Sequence, residues 1–234
     1  NMKLIRNIWL LLTVLLVTSC GELFNLNVND ADAPDGVMMT HHNIDVMVGD
    51  SVFFDAKAYP DSVVVSYRWK LLGDTDAGKL EGNWFHATAA GELQLQVEAE
   101  NIDLVDDSIF TVKDVCDIVV FEWSEGADQG EYLYETVVYA SLEIDEVDVT
   151  ASIDSLQVVA VVKDEVRARA EMKEAYGVNY LQLRIGSYWP GEIATLQCYH
   201  PGLHQHFVFQ EIKLNGSTYG RLSDLVKLVG YSKD

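Results

Sequence analysis

The chain of 234 residues is long enough for one large or two small hydrophobic cores, and its 49% apolar content argues for a folded protein. With 16 basic against 37 acidic residues, its formal charge of −21 argues against nucleic acid as a partner, because phosphates need Lys and Arg to displace their counterions. The same balance argues against electrostatic docking on anionic lipid; the acidity reads as solubility and mutual repulsion, with a calcium-binding surface as the functional alternative.

The first informative stretch runs from Met2 to Cys20. Lys3 and Arg6 form a positive lead, and Ile8 to Val17 is an apolar run broken only by Thr13. At about ten residues the run fits the ~7–15 of a signal-peptide core and falls short of the ~18 that span a bilayer. Val17-Thr18-Ser19-Cys20 then resembles the lipobox of bacterial lipoproteins, in which the cysteine is diacylated and becomes the first residue of the mature protein. The resemblance implies a signal peptide over 1–19, lipidation at Cys20, and membrane attachment through that lipid, at the outer membrane on either its cell-surface or its periplasmic face. Each buried methylene contributes ~0.8 kcal/mol, so one acyl chain holds marginally and two or three hold stably. Without Lys3 and Arg6 the remainder carries 14 basic and 37 acidic residues, a formal charge of −23.

Residues 20–36 read as an acidic tether ending in Asp30-Ala31-Asp32-Ala33-Pro34-Asp35-Gly36. Its three aspartates echo a calcium loop, but the spacing is one residue off and no Glu closes it. Residues 37–115 read as a β-sandwich. Ser51 to Ala56 follows a Gly49-Asp50 turn. Val63 to Leu71 is rich in β-branched and aromatic residues, Leu93-Gln94-Leu95-Gln96-Val97 alternates strictly, and Ser108 to Val112 completes the set.

Val48-Gly49-Asp50-Ser51-Val52, Tyr67-Arg68-Trp69, Gly91-Glu92-Leu93 leading into Gln94 to Val97, and Phe110-Thr111-Val112 together resemble the Ig-like/PKD-like modules of bacterial surface lipoproteins. The resemblance spans roughly eighty residues. It implies a sandwich with Trp69 packed in the core of a middle strand. Three features depart from the family: no cysteine pair bridges the sheets, Leu93 stands where many members have Tyr, and Leu71-Leu72-Gly73-Asp74-Thr75 keeps only part of the Gly-Asp-Gly that follows the Trp.

Residues 116–234 read as a second, β-rich domain, α+β at most. Strands are expected at Ile118 to Trp123, Tyr132 to Leu142, Val147 to Ala151, Leu156 to Val162, Tyr180 to Ile185, Ile193 to Tyr199 and Phe207 to Leu214. Lys163 to Tyr176 carries two signals: Ala, Glu and Met favour helix, whereas Val166, Ala168, Ala170 and Met172 alternate with charged residues as in a strand. The abundance of Ala and Glu tips the segment toward helix. Asn215-Gly216 has the composition of a tight hairpin turn. Ile212 to Tyr219, followed by Gly230-Tyr231-Ser232-Lys233-Asp234, is similar to the C-terminal part of many Bacteroidetes lipoproteins. There one more Gly-led apolar strand usually follows, which implies a truncated C-terminus here.

Three sets of residues are candidates for chemistry. Cys198, His200, His204 and His206 put a thiol and three of the six histidines into nine residues, ligand types suited to zinc or copper, though the spacing fits no standard motif. In an extended strand His204 and His206 share a face. Tyr188 and Trp189, in the loop Tyr188-Trp189-Pro190-Gly191, are candidate glycan-stacking residues; Trp84, Phe85, Trp123, Tyr132, Tyr134 and Tyr139 are further aromatics that pack a core or add to such a platform. Cys116 and Cys198 are available to pair in an envelope compartment. No nucleophile elbow, zincin, Walker or dinucleotide motif occurs, so neither a catalytic site nor a cofactor is expected. The expected role is a lipid-anchored, non-catalytic binding or adhesion module with a glycan or an envelope protein as partner. A structural component of an envelope assembly ranks next and a hydrolase third.

Overall fold

A computed structural model describes residues 33–102 and 109–232. Cys20 and most of the tether lie outside the described residues. The fold is mainly β, with its strands in several sheets, and the only helices among the described residues are three short 3-10 turns. None is long and apolar enough to cross a membrane.

The first nine strands are β1 (Gly36–Met39), β2 (Asn43–Met47), β3 (Ser51–Phe53), β4 (Ala56–Tyr59), β5 (Ser66–Gly73), β6 (Gly78–Glu81), β7 (Trp84–Ala87), β8 (Gly91–Ile102) and β9 (Ile109–Phe121). They form sheets of order β1-β4, β3-β7-β6 and β2-β9-β8-β5. Residues 33–40, 55–70, 96–102 and 109–115 make one compact unit, and residues 41–54, 71–95 and 116–232 another.

In the first unit, β1 pairs antiparallel with β4 from Gly36↔Tyr59 to Met39↔Ala56. The Tyr67 hydroxyl accepts the Ala58 amide at 2.9 Å, and Glu98 and Glu100 hold Arg68 and Lys113 in an ion-pair ladder. Trp69 is only half-buried, contrary to the family expectation. The apolar run is also shifted: Val63–Val65 precede the strand, which starts at Ser66, and Val64 is exposed. A turn closed by the Val63 amide on the Pro60 carbonyl ends at Val63, and Val64 and Val65 follow it outside any strand, so their β propensity finds no partner there.

In the second unit, Phe54 and Phe85 are fully buried. Phe85 lies over bare backbone at Gly78, where a Cβ would come within 2.1 Å of its ring. Eleven further strands follow: β10 (Ser124–Glu125), β11 (Tyr134–Ile144), β12 (Val147–Asp148), β13 (Gln157–Val162), β14 (Glu165–Arg169), β15 (Glu171–Ala175), β16 (Val178–Ser187), β17 (Ile193–His200), β18 (Gln205–Lys213), β19 (Thr218–Tyr219) and β20 (Val226–Ser232). All belong to one sheet whose main path is β10-β14-β13-β17-β18-β20-β11-β16-β15. β14 pairs with β13 near one end and β15 with β16 at the other, yet only Ala170 separates β14 from β15. One chain segment thus runs from next to one end of the sheet to the other end, β14 packs near β16, and the sheet rolls around a core that includes Val138, Leu142, Val158, Leu181, Leu183, Ile185, Leu196, Phe209 and Leu228.

The helix favoured for Lys163–Tyr176 is therefore replaced by two strands. Lys163 and Asp164 both have positive φ and close a two-residue hairpin between Val162 and Glu165; Tyr176 and Gly177 do the same between Ala175 and Val178. Burial of Val166 and Ala168 in the rolled sheet outweighs the helix propensity of Ala and Glu. Asn215-Gly216 is not the hairpin its composition announces: only Gly216 has positive φ, and β19 beyond it pairs parallel with β11. Cys116 and Cys198 are both buried, and no disulfide joins them.

Gly78→Ala forces the buried Phe85 ring to move and is expected to cost about 1–3 kcal/mol in urea unfolding. An unchanged midpoint would show that the ring has room the packing denies it.

Candidate functional site

The outer face of β16 carries a row of side chains. Leu181, Leu183 and Ile185 point into the core, which leaves Gln182, Arg184 and Gly186 on the opposite face. The row continues at Tyr188 and Trp189, so it runs roughly 20 Å from Gln182 to Tyr188. Gly186 has a steric purpose: the Tyr132 ring lies against it, and a Cβ there would sit 2.0 Å from Tyr132 Cδ2.

Arg167 organises the aromatic end. The β13–β14 register passes from Ala160↔Ala168 to Val161↔Val166, so Arg167 is the extra residue of a β-bulge, a feature that re-aims a side chain. It is only 4% exposed. Its guanidinium carbon lies 4.7 Å from the Tyr132 ring centre and 5.0 Å from that of Tyr188, a double cation–π contact. Glu165 Oε2 is 3.2 Å from Nε and Glu192 Oε1 is 4.0 Å from Nη2. The Glu165 contact is an ion pair without hydrogen-bond geometry, and neither Nε nor Nη1 has a hydrogen-bond partner within the chain. Burial pushes the Tyr132 phenol up, with the Arg167 charge pulling the other way, and its hydroxyl faces the Ala127 amide without closing a normal hydrogen bond.

The same Glu192 fixes the aromatic loop. Its Oε2 accepts the Tyr188 amide at 2.8 Å, its backbone carbonyl accepts the Leu214 amide at 2.7 Å, and the Gly191 amide donates to Leu214 O at 2.5 Å. Tyr188 is half-buried, with its ring 5.0 Å from that of Tyr132 and 5.9 Å from that of Trp189. Trp189 stands 59% exposed at the loop tip.

Beside this platform is an open pocket of about 210 Å³, lined by Gln129, Ala168, Arg169, Glu171, Gln182 and Arg184. It sits at the corner where the chain leaves β14 and enters β15. Gln129 ties it to the platform by donating to the Arg167 carbonyl. Arg169 pairs with Glu125, Arg184 Nη1 lies 3.3 Å from Glu135 Oε1, and Lys173 lies 2.6 Å from Glu171. The Lys173 hydrogen bond holds the Glu171 carboxyl below its ordinary value. Of these groups, sequence reasoning singled out only Tyr188, Trp189 and, among the aromatics, Tyr132. The missed signal is that three of the chain's six arginines, Arg167, Arg169 and Arg184, fall in one short stretch.

The histidines do not converge. His204 has positive φ in the turn before β18, so the extended spacing expected to put it on the face of His206 does not apply. His200 Nδ1 accepts the Leu203 amide at 3.2 Å. His206 is buried and stacks on Phe121, with ring centres 4.8 Å apart. Its Nε2 lies 3.1 Å from Gln197 Oε1, which also accepts Trp123 Nε1 at 3.0 Å, so His206 Nε2 carries the proton. Cys198 is buried and its thiol is pushed up to about 12, which disfavours the metal-binding thiolate. Among the described residues no three His, Cys, Asp or Glu side chains are grouped to hold a metal.

These histidines instead border a latch between β2 and the start of β18. Asp45 donates its amide to His204 O at 2.8 Å and accepts the His206 amide on Oδ2 at 3.0 Å. The His41 and His204 rings are 5.9 Å apart, and Tyr199 OH is 3.5 Å from His204 Nδ1. Burial lowers both pKa values; His42 adds to the shift at His41, while His41 and His200 add to it at His204 against the pull of Asp50.

No family model matches the chain, and no curated protein matches it in sequence. Similar solved structures include a Bacteroides ovatus mixed-linkage glucan utilization locus SGBP-B bound to a mixed-linkage heptasaccharide, at 9% identity and TM-score 0.24, over 80% of this chain and 48% of that one. This chain thus spans about half the length of that protein. Fibronectin(III)-like modules of Clostridium thermocellum CbhA match at 11% identity and TM-score 0.28, over 78% of this chain and 94% of theirs. The titin domains z1z2 match at 9% and TM-score 0.26, over 70% and 89%.

With the His41 and His204 pKa values below the ordinary 6.5, the unfolded chain binds these protons more readily than the folded one. Their contribution to stability is full above about pH 6.5 and is lost as pH falls through the folded values. The urea midpoint should therefore drop on acidification from pH 7.5 toward 5.5, and His204→Gln should flatten that drop. Equal slopes in the two proteins would remove the histidine pair from the account.

Proposed function

We propose that this chain is a non-catalytic binding module that takes a glycan along the outer face of β16. The observation that carries the reading is the exposed Trp189 on a loop held by buried Glu192, beside the Tyr132–Arg167–Tyr188 stack. An aromatic plane offers the apolar face of a sugar a stacking surface, and polar groups in the adjoining pocket satisfy its hydroxyls. Because Arg167 and Glu192 fix the rings before a ligand arrives, little ordering entropy is spent on binding.

The presentation of this module follows from its leader. Lys3, Arg6, the apolar run and Val17-Thr18-Ser19-Cys20 support lipidation at Cys20 and anchorage at the outer membrane of a bacterial envelope. Residues 20–36 then act as an acidic spacer, 37–115 as the Ig/PKD-like sandwich and 116–234 as the binding domain. Cys20→Ala should move the protein from the membrane fraction to the soluble one.

The reading is tested by affinity electrophoresis in gels cast with a panel of plant and algal polysaccharides. Trp189→Ala should lose most of the retardation of the native chain, by about tenfold in apparent affinity if stacking supplies ~1–1.5 kcal/mol, while its unfolding midpoint stays put. Gly186→Val should lose it as well by dislodging Tyr132. Native retardation that survives Trp189→Ala would refute the platform.

A further inference from the structure

The pocket beside the platform says more about the ligand, and this step rests on the glycan reading. We infer that the corner pocket receives an anionic sugar unit, one bearing a carboxylate or a sulfate, between the guanidiniums of Arg169 and Arg184.

Scarce positive charge is concentrated at this corner. In a chain of formal charge −21 with only six arginines, two line this pocket and a third, Arg167, lies directly beside it in sequence and is held by the same Gln129. Planar guanidinium forks match carboxylate and sulfate oxygens, whereas a neutral sugar needs no such concentration. Arg169 and Arg184 now pair with Glu125 and Glu135, but all four side chains are well exposed, at 51%, 62%, 64% and 45%. Exposed pairs of this kind contribute little and exchange readily. A ligand anion that reaches both guanidiniums at once displaces two separate, flexible carboxylates with one group.

The rest of the pocket suits the remainder of a sugar. Gln182 donates its amide to the Tyr139 hydroxyl at 3.3 Å, which leaves its carbonyl oxygen as an acceptor for ligand hydroxyls. Glu171, steadied by Lys173, is a second acceptor. At about 210 Å³ the pocket is smaller than sites for drug-sized ligands and fits a single unit. Further units would then follow β16 toward Tyr188 and Trp189. A small free anion would use the pocket and leave that strip empty, whereas a chain with one charged unit uses both.

The test compares three gels, one cast with polygalacturonate, one with dextran sulfate and one with neutral hydroxyethylcellulose, using the intact chain. General electrostatics repels this acidic protein from both anionic polymers, so retardation there requires a specific contact. Retardation on an anionic gel is expected, the polymer responsible reporting whether the group is carboxylate or sulfate. Arg169→Gln with Arg184→Gln should weaken it about tenfold, and added salt should weaken it further. Retardation only on the neutral gel, abolished by Trp189→Ala, would overturn the anionic inference and leave the glycan reading standing. Retardation on an anionic gel that survives the double substitution would overturn the inference as well. No retardation on any gel would count against both. Circular dichroism of the double variant, matched to the native spectrum, separates lost binding from lost folding.

Discussion

The arrangement of the second domain depends on keeping one guanidinium out of water. A buried Arg is costly unless its charge is answered nearby, and Arg167 is answered on four sides, by Glu165, Glu192 and the faces of Tyr132 and Tyr188. Each partner then has a second task. Glu192 holds the Tyr188 amide and thereby the loop that presents Trp189. Tyr132 can lie flat only because position 186 has no side chain. A single extra residue in β14 aims Arg167 into this space, so the bulge, the buried charge and the aromatic platform are one chain of causes.

The rolled sheet supplies the second constraint. β14, next to one end of the sheet, and β15, at the other, are joined through Ala170, whose amide donates to Val158 O at 2.9 Å. A strand that changes partner at that point turns a corner, and a corner leaves space on its outer side. The pocket occupies this space, with lining residues from β14, β15 and β16. The rolling also lessens the hazard of a free strand edge along β14, because the sheet folds back on itself there.

Much of the fold is legible in the sequence, for physical reasons that can be named. Strict alternation in Leu93 to Val97 and in β16 reports one buried and one open face, and both segments are strands. The segment Lys163–Tyr176 misleads because propensity is local while the burial of Val166 and Ala168 is not. Its two turns, Lys163-Asp164 and Tyr176-Gly177, lack the Asn-Gly signature, whereas Asn215-Gly216 has the signature without the hairpin. Tyr188 and Trp189 are visible as aromatics in a Pro-Gly loop. Arg167 is not, because a bulge exists only relative to a partner strand. His204 and His206 fail as a pair because one residue in the left-handed region breaks the alternation that put them on one face.

The central claim is that the outer face of β16 is the binding surface. The most direct measurement is a heteronuclear NMR titration of the 15N-labelled chain with oligosaccharides of whichever polysaccharide retards it in a gel. The account predicts that the Trp189 indole NH and the amides of residues 182–192 shift together, with saturation at one site. Shifts confined to other surfaces, with the Trp189 indole unmoved at saturation, would contradict it.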